Sequence, residues 1–501
     1  MQRLSISFLS LVALAGSAGA QPAPDAPPPA GQPPVQPEPS NAPAGSPPSP
    51  VDVTPPPSGS QAENKGEAPT TPPVQGKWTT TFYGFTEGDL IYDKVQGGIN
   101  GGGPTEALGN GALPRPANGA TAAQFRSQHD QFQTTARNTR IGFRFTAPTV
   151  NDIKATGNIE ADFAGNQPNT VSEASLYVNA TMRIRHAYLK FETPFLDVLF
   201  GQYWQLFGWQ PNSQEGSVQF QGLPGFLSSR TAQLRIGKNI KAGDFSVDVE
   251  IAATRPGQRG GGLPDGVGGI KFAFDKLKAY RIVGAAGSAL DSAMVGVSVI
   301  GRRFQLAELK ATPASTIKSN GYGLGANALL PIVPATKESK ANALTLEGEF
   351  VTGGAIADLY TGLSGGVALP ATVPGTGMTP APAFTPNIDN GLVEYKVGAG
   401  NVVTVHPVRW QSYGVGLQYF LPPSGNVALV VNYSHLSSDN AHAFGAANAV
   451  FEKQDYVDGD LFVDLTPAIR LGAGFVWLRQ TYVDGVNAPD YRGQLSGMFI
   501  F

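Results

Sequence analysis

Residues 491–501 run Tyr-Arg-Gly-Gln-Leu-Ser-Gly-Met-Phe-Ile-Phe. Every second position (Tyr491, Gly493, Leu495, Gly497, Phe499, Phe501) is aromatic, apolar or small, while Arg492, Gln494 and Ser496 make most of the alternate face polar. Period two marks a strand with two different surroundings. In a soluble sheet such an apolar edge would invite aggregation. A strand that closes a transmembrane barrel has lipid on one face, water on the other, and no free edge once it pairs with the first strand. The stretch therefore predicts a barrel-closing strand with Tyr491, Leu495, Phe499 and Phe501 toward lipid, and a terminal segment suited to a barrel-assembly machinery.

The rest of the chain extends this pattern. Strands are expected at about 78–93, 139–147, 153–163, 182–192, 196–206, 230–238, 244–254, 267–275, 280–288, 320–330, 342–352, 409–421, 426–437, 455–465, 468–482 and 490–501. Residues 289–319 read as a loop with its own hairpin, which leaves sixteen strands, or as two further strands, which makes eighteen. Sixteen is favoured. Short turns alternate with long loops, among them a Gly/Pro/Thr-rich loop over 353–408, as in membrane barrels. Ile141, Phe143 and Phe145 alternate with Arg140 and Arg144, and Leu461, Val463 and Leu465 with Asp460 and Asp464. A lipid-facing Arg or Lys near the midplane costs about 2–4 kcal/mol, so the charged phase belongs to the lumen. The fold class is all-β: a transmembrane antiparallel barrel over 77–501.

Ahead of it, Met1–Ala20 has one basic residue, an apolar run and a small-residue end, and reads as a signal peptide cleaved after Ala20. Residues 21–76 hold 19 of the 42 prolines and almost no aromatics, so they cannot bury enough surface to fold. A disordered periplasmic tether is expected there, with the cell wall as a candidate partner. The chain has no cysteine, which removes disulfides and thiolate metal sites. A net charge of −3 gives no reason to propose nucleic acid. Mean hydropathy is slightly negative, as expected when only alternate side chains meet lipid.

Four motifs fall in order on successive strands: Asn138-Thr-Arg-Ile-Gly-Phe-Arg-Phe145, Glu160-Ala-Asp-Phe-Ala-Gly165, Met182-Arg-Ile-Arg-His-Ala-Tyr188 and Gly201-Gln-Tyr-Trp-Gln-Leu-Phe207. With Arg230–Arg235 and Leu263-Pro264-Asp265, they resemble the DcaP-like family of outer-membrane porins. The resemblance covers about 138–265 and is weak in the second half. It implies a sixteen-stranded homotrimer in the outer membrane of a Gram-negative bacterium, surrounded by lipid and passing small anionic solutes such as dicarboxylates. The proline-rich segment departs from the helical, coiled-coil-prone N-terminus usual in that family.

Within the lumen, Arg140, Arg144, Arg183, Arg185, Arg230 and Arg235 lie in or near the inward phase of strands two, four and six. Guanidinium groups stay charged and grip carboxylates bidentately, so a stack of them would draw anions inward. The competing reading is a structural ion-pair network with Glu160 and Asp162 on the third strand. Glu347, Glu349, Asp458, Asp460 and Asp464 form an expected acidic wall opposite. The loop Gly208–Ser229 is the candidate constriction, through Trp209, Glu215, Phe220 and Phe226. His186 and Tyr188 fall in the outward phase of strand four, which hints at a subunit interface unless the register slips by one residue.

No catalytic constellation emerges. The five histidines are scattered, and Ser434 and His435 point to opposite faces of one strand. No cofactor or metal is implied. Besides a diffusion porin, two alternatives stay open: a structural or adhesive barrel, and a barrel lipid hydrolase. Passive diffusion of small hydrophilic anions is the favoured reading.

Overall fold

Thr79–Val95 forms β1, on which Glu87, Asp89, Ile91 and Asp93 point inward and are buried while Phe82, Leu90 and Tyr92 are exposed. This alternation recurs around a closed sheet, seen here in a computed structural model that describes residues 78–95, 129–165, 181–210, 212, 216–219, 223–310, 312–336, 339–360, 363, 369–373, 386–398, 402–444 and 450–501. The expected signal peptide and tether lie outside the described residues, as do Glu215 and Phe220.

The second strand, β2, has two segments, His129–Thr135 and Arg140–Thr146, both paired with β1. Then follow β3 (Lys154–Asp162), β4 (Arg183–Glu192), β5 (Asp197–Trp204), β6 (Arg230–Ala242) and β7 (Phe245–Thr254). The next four are β8 (Asp265–Val283), β9 (Gly287–Ala307), β10 (Thr316–Val333) and β11 (Leu344–Gly354). The circuit ends with β12 (Arg409–Phe420), β13 (Val427–Ser437), β14 (Phe451–Thr466), β15 (Ile469–Tyr482) and β16 (Asn487–Ile500). Each strand pairs antiparallel with the next, and β16 pairs with β1 to close a sixteen-stranded barrel. Closure satisfies every sheet edge, which is what a strand fold in lipid requires.

The seam confirms the reading of the terminal strand. Phe85 faces Ile500 and Asp93 faces Arg492 across the register. Phe501 stacks on Phe82 at 5.0 Å, and its amide and carbonyl both bond to Gly84. Leu495 and Phe499 are exposed on the outer face, whereas Arg492, Gln494 and Ser496 are buried inside.

Sixteen strands are present, but residues 265–307 reach that number by a different route from the one expected. The segments 267–275 and 280–288 are one 19-residue strand, β8, and 287–307 is a barrel strand rather than loop. The polar interruption Asp275-Lys276-Leu277 is a bulge, where the pairing with β9 jumps from Lys278–Ser292 to Phe274–Ala293. Ser292 bridges it, donating to Asp275 at 2.5 Å and accepting from Lys278 at 2.8 Å. A bulge and a turn both interrupt alternation, so the period alone could not separate them.

One end of the barrel carries the short turns and the other the long connections, among them 204–230 and 354–409. The long connections fold inward. Residues Leu206, Phe207, Trp209, Phe226 and Leu227 of the first share one buried apolar cluster with Ile356, Leu359, Tyr360, Leu392 and Tyr395 of the second. The second also contains a hairpin, Val393–Val397 with Val403–Pro407. The 353–408 segment is therefore not a freely projecting external loop: its described parts form a lid that packs on the loop beneath.

Candidate functional site: the lumen and its constriction

The arginines of β2, β4 and β6 gather on one wall around two carboxylates from β3. Arg185 donates to Glu160 at 2.7 Å and to Asp162 at 3.1 Å, and Arg183 holds Asp162 through two bonds of 3.0 and 2.5 Å. Arg140 approaches Glu160 at 3.7 Å and lies over the Phe85 ring. Arg235 is paired with Glu250 on β7 at 3.1 Å. Arg144 and Arg230 differ from these. Arg144 lies over the Tyr83 ring and Arg230 over Trp204; neither has a carboxylate within 4 Å among the described residues, although Arg230 lies in the field of Asp162. The wall thus combines an ion-pair network with two guanidinium groups that lie over aromatic rings.

His186 and Tyr188 do not face outward. Ala161 pairs with Ile184 but Glu160 pairs with His186, so Arg185 is the extra residue of a β-bulge. The bulge shifts the phase by one residue: Ile184 and Leu189 are exposed outside, while His186 is buried 3.8 Å from Glu160. Its ring packs on Tyr203 and Trp204, extending an aromatic floor beneath the guanidiniums. The hint of a subunit interface at these two residues is withdrawn.

The loop after β5 enters the lumen at Gly208, whose φ of +86° suits glycine and whose amide donates to Ser298 on β9 at 2.8 Å. It then crosses to the far wall, where glycines leave sockets for its side chains. A Cβ on Gly414 would come within 2.2 Å of the Phe226 ring, and one on Gly269 or Gly296 within 2.8 or 2.7 Å of Trp209. Much of the high glycine content of these strands is space for the loop.

The acids of the far wall lie beneath this loop. Glu349 accepts from the Leu227 amide at 2.8 Å and from Asn327 at 2.9 Å. Asp458 accepts from Ser217, Tyr456 and Asn432 at 2.8–3.0 Å. Glu347 accepts from Gln418 at 3.2 Å and sits 3.7 Å from Arg281, and Asp460 is buried beside Asp458. Asp464 lies apart, at the short-turn end, paired with Arg470 and Lys340 at 2.7 Å each. Four of the five acids thus serve as anchors covered by the loop rather than as a wall open to the pore.

What the loop leaves free is a cavity of about 250 Å³ beside the arginine wall, lined by Tyr188, Tyr203, Trp209, Arg235, Glu250 and Lys271 among others. Lys271 on β8 is held by Asp248 at 3.0 Å and lies over Trp209. The sequence reading had not singled out Lys271, Tyr203 or Glu250, although their inward phase was legible. It had also passed over the acids of β1. Asp93 binds Arg492 through bonds of 2.6 and 2.7 Å across the closing seam, and Asp89 accepts from Asn138 and Gln494. Ser434 donates inward to the Pro224 carbonyl, while His435 on the outer face meets Asp455.

A closed barrel with an apolar outer face, a charged lumen and an inward-folded loop defines a porin-type transmembrane channel fold. No protein-family model matches the chain, and no curated protein matches it either. Among solved structures, the outer membrane channel DcaP of Acinetobacter baumannii is similar with a TM-score of 0.58 at 19% identity, over 85% of this chain and 98% of that one. An anion-selective porin from Comamonas acidovorans (TM-score 0.46, 9% identity) and OmpT of Vibrio cholerae in its trimer form (0.45, 9%) each match over 85% of this chain and 100% of theirs. The fold is the one that DcaP-like porins share.

Proposed function

We propose that the protein is an outer-membrane porin through which small hydrophilic solutes diffuse passively, with a preference for anions of the dicarboxylate type. The observation that carries this is the pair Arg144 and Arg230, lumen guanidiniums with no carboxylate within 4 Å among the described residues. An unpaired guanidinium in a narrow, partly desolvated passage attracts carboxylate strongly and offers it two parallel bonds. The fold shared with a solved outer membrane channel supports the same reading. In this reading the short-turn end faces the periplasm, the protein assembles as a homotrimer in lipid, and the barrel-assembly machinery engages β16.

Single-channel recording of the refolded protein, with reversal potential in a salt gradient, tests it. Open steps with anion preference are expected. Changing Arg144 and Arg230 to Gln should lower that preference several-fold, at a stability cost of about 1–2 kcal/mol from the lost contacts with Tyr83 and Trp204. Cation preference in the wild type would transfer selectivity elsewhere. Silence from a folded, heat-modifiable barrel would favour the adhesive reading.

A further inference from the structure

Among the described residues, the exposed cations at the long-loop end lie mainly along one half of the barrel. Along β9–β15 the exposed cations Arg303, Lys318, Arg409 and Lys453 and the half-buried Arg479 share this rim. Arg303 and Lys318 have no carboxylate partner among the described residues. Arg409 meets Asp439 at 2.9 Å, and Arg479 meets Asp455 at 2.6 Å, where His435 also binds at 2.7 Å. Lys453 lies 3.9 Å from Glu452, so five cations stand against three acids. One level deeper, still facing outward, are Tyr322, Tyr413, Tyr433 and Trp477; Tyr413 stacks on His435 and Trp477 lies under Arg479. On β6 and β7 the same level presents Ala232 and Ala253, with Arg255 just beyond β7 as the exception.

Aromatic side chains at this position mark the depth where hydrocarbon gives way to headgroups. Cations placed immediately above them meet the headgroup layer, and phosphate is the anion that guanidinium and ammonium groups hold there. We propose that the β9–β15 rim is a binding surface for phosphorylated headgroups of the surrounding outer-leaflet lipid. The inference rests on the reading of the chain as an outer-membrane barrel. It concerns the outer surface, and the lumen plays no part in it.

The test reconstitutes the full chain into phosphatidylcholine vesicles with and without lipid A and measures lipid A retained per barrel after mild detergent extraction. Wild type should retain it against millimolar inorganic phosphate. Changing Arg303, Lys318 and Lys453 to Gln should reduce retention by about five-fold or more, as expected for losing three surface cations. Lys241→Gln with Lys276→Gln, at the opposite rim, should leave retention unchanged. Folding is checked by heat-modifiable mobility, and Lys318→Gln alone serves if the triple variant misfolds. Equal retention by variant and wild type, or displacement by free phosphate, overturns the proposal while leaving the channel reading intact. Failure to insert into either vesicle overturns both.

Discussion

The two walls of the lumen hold charge in opposite ways. On the β2–β6 wall, arginines outnumber their partners, and the paired Arg235 lines a cavity of about 250 Å³. On the β11–β14 wall, Glu349 and Asp458 are covered by the loop and bonded to its amides and hydroxyls, so their role is to seat it. Both walls looked alike in the sequence, as charged residues in an inward phase. The difference is what else arrives at each: ions on one side, a polypeptide on the other.

The largest way to break this contrast is on the arginine wall itself. Arg185→Ala would leave Glu160 and Asp162 buried with weakened compensation. Removing one member of a buried ion-pair network costs about 3–5 kcal/mol. A urea unfolding midpoint equal to wild type would show that the network is not structural. Set beside the smaller cost of about 1 kcal/mol expected for Arg230→Gln, the pair separates arginines held by short ion pairs from one that packs on Trp204.

A smaller effect is expected on the loop-bearing wall. Gly414→Ala places a methyl group where the Phe226 ring sits, 2.2 Å from the nearest ring carbon. Overpacking of this kind costs about 1–3 kcal/mol, and it falls on the docked loop rather than on the barrel. Faster amide exchange over 223–227 and larger conductance steps should follow, with barrel unfolding unchanged. Unaltered exchange there would mean the loop is held by its hydrogen bonds rather than by the glycine socket.

The third effect concerns the lid. Glu394 in the hairpin is buried, and burial pushes its carboxyl up to about 8. Its folded-state value lies above the unfolded one, so the folded hairpin binds the proton more tightly. The resulting stability is complete below the ordinary carboxylate range and is lost as pH rises through about 8. Hydrogen exchange over 393–398 and 402–406 should therefore accelerate between about pH 5 and pH 8 and level off above, after correction for intrinsic rates. In Glu394→Gln the pH dependence should flatten. Acceleration of equal size in that variant would assign the effect to another group.

Much of the architecture was legible because a strand's surroundings are written in period two. The outward Leu495 and Phe499, the inward Arg492 and Gln494, and the alternation of short and long connections needed no coordinates. The period failed where one residue was added. At Arg185 a bulge turned His186 and Tyr188 from the outer face to the lumen, and at Asp275–Leu277 another joined two expected strands into one. A bulge has no fixed residue signature, so phase downstream of it is lost to inspection of the sequence.

The sequence alone determined that this is a closed membrane barrel, which face of most strands meets lipid, and which side chains carry lumen charge. Those properties are local, set by the spacing of neighbouring residues. Only the tertiary structure decided which charges remain available. Asp93 meets Arg492 because closure joins the ends of the sheet, and Ser217 meets Asp458 because a loop spans the lumen. Partners so far apart in the chain are chosen by where the barrel walls bring them. The landing of the loop therefore separates an anchor from a binding group.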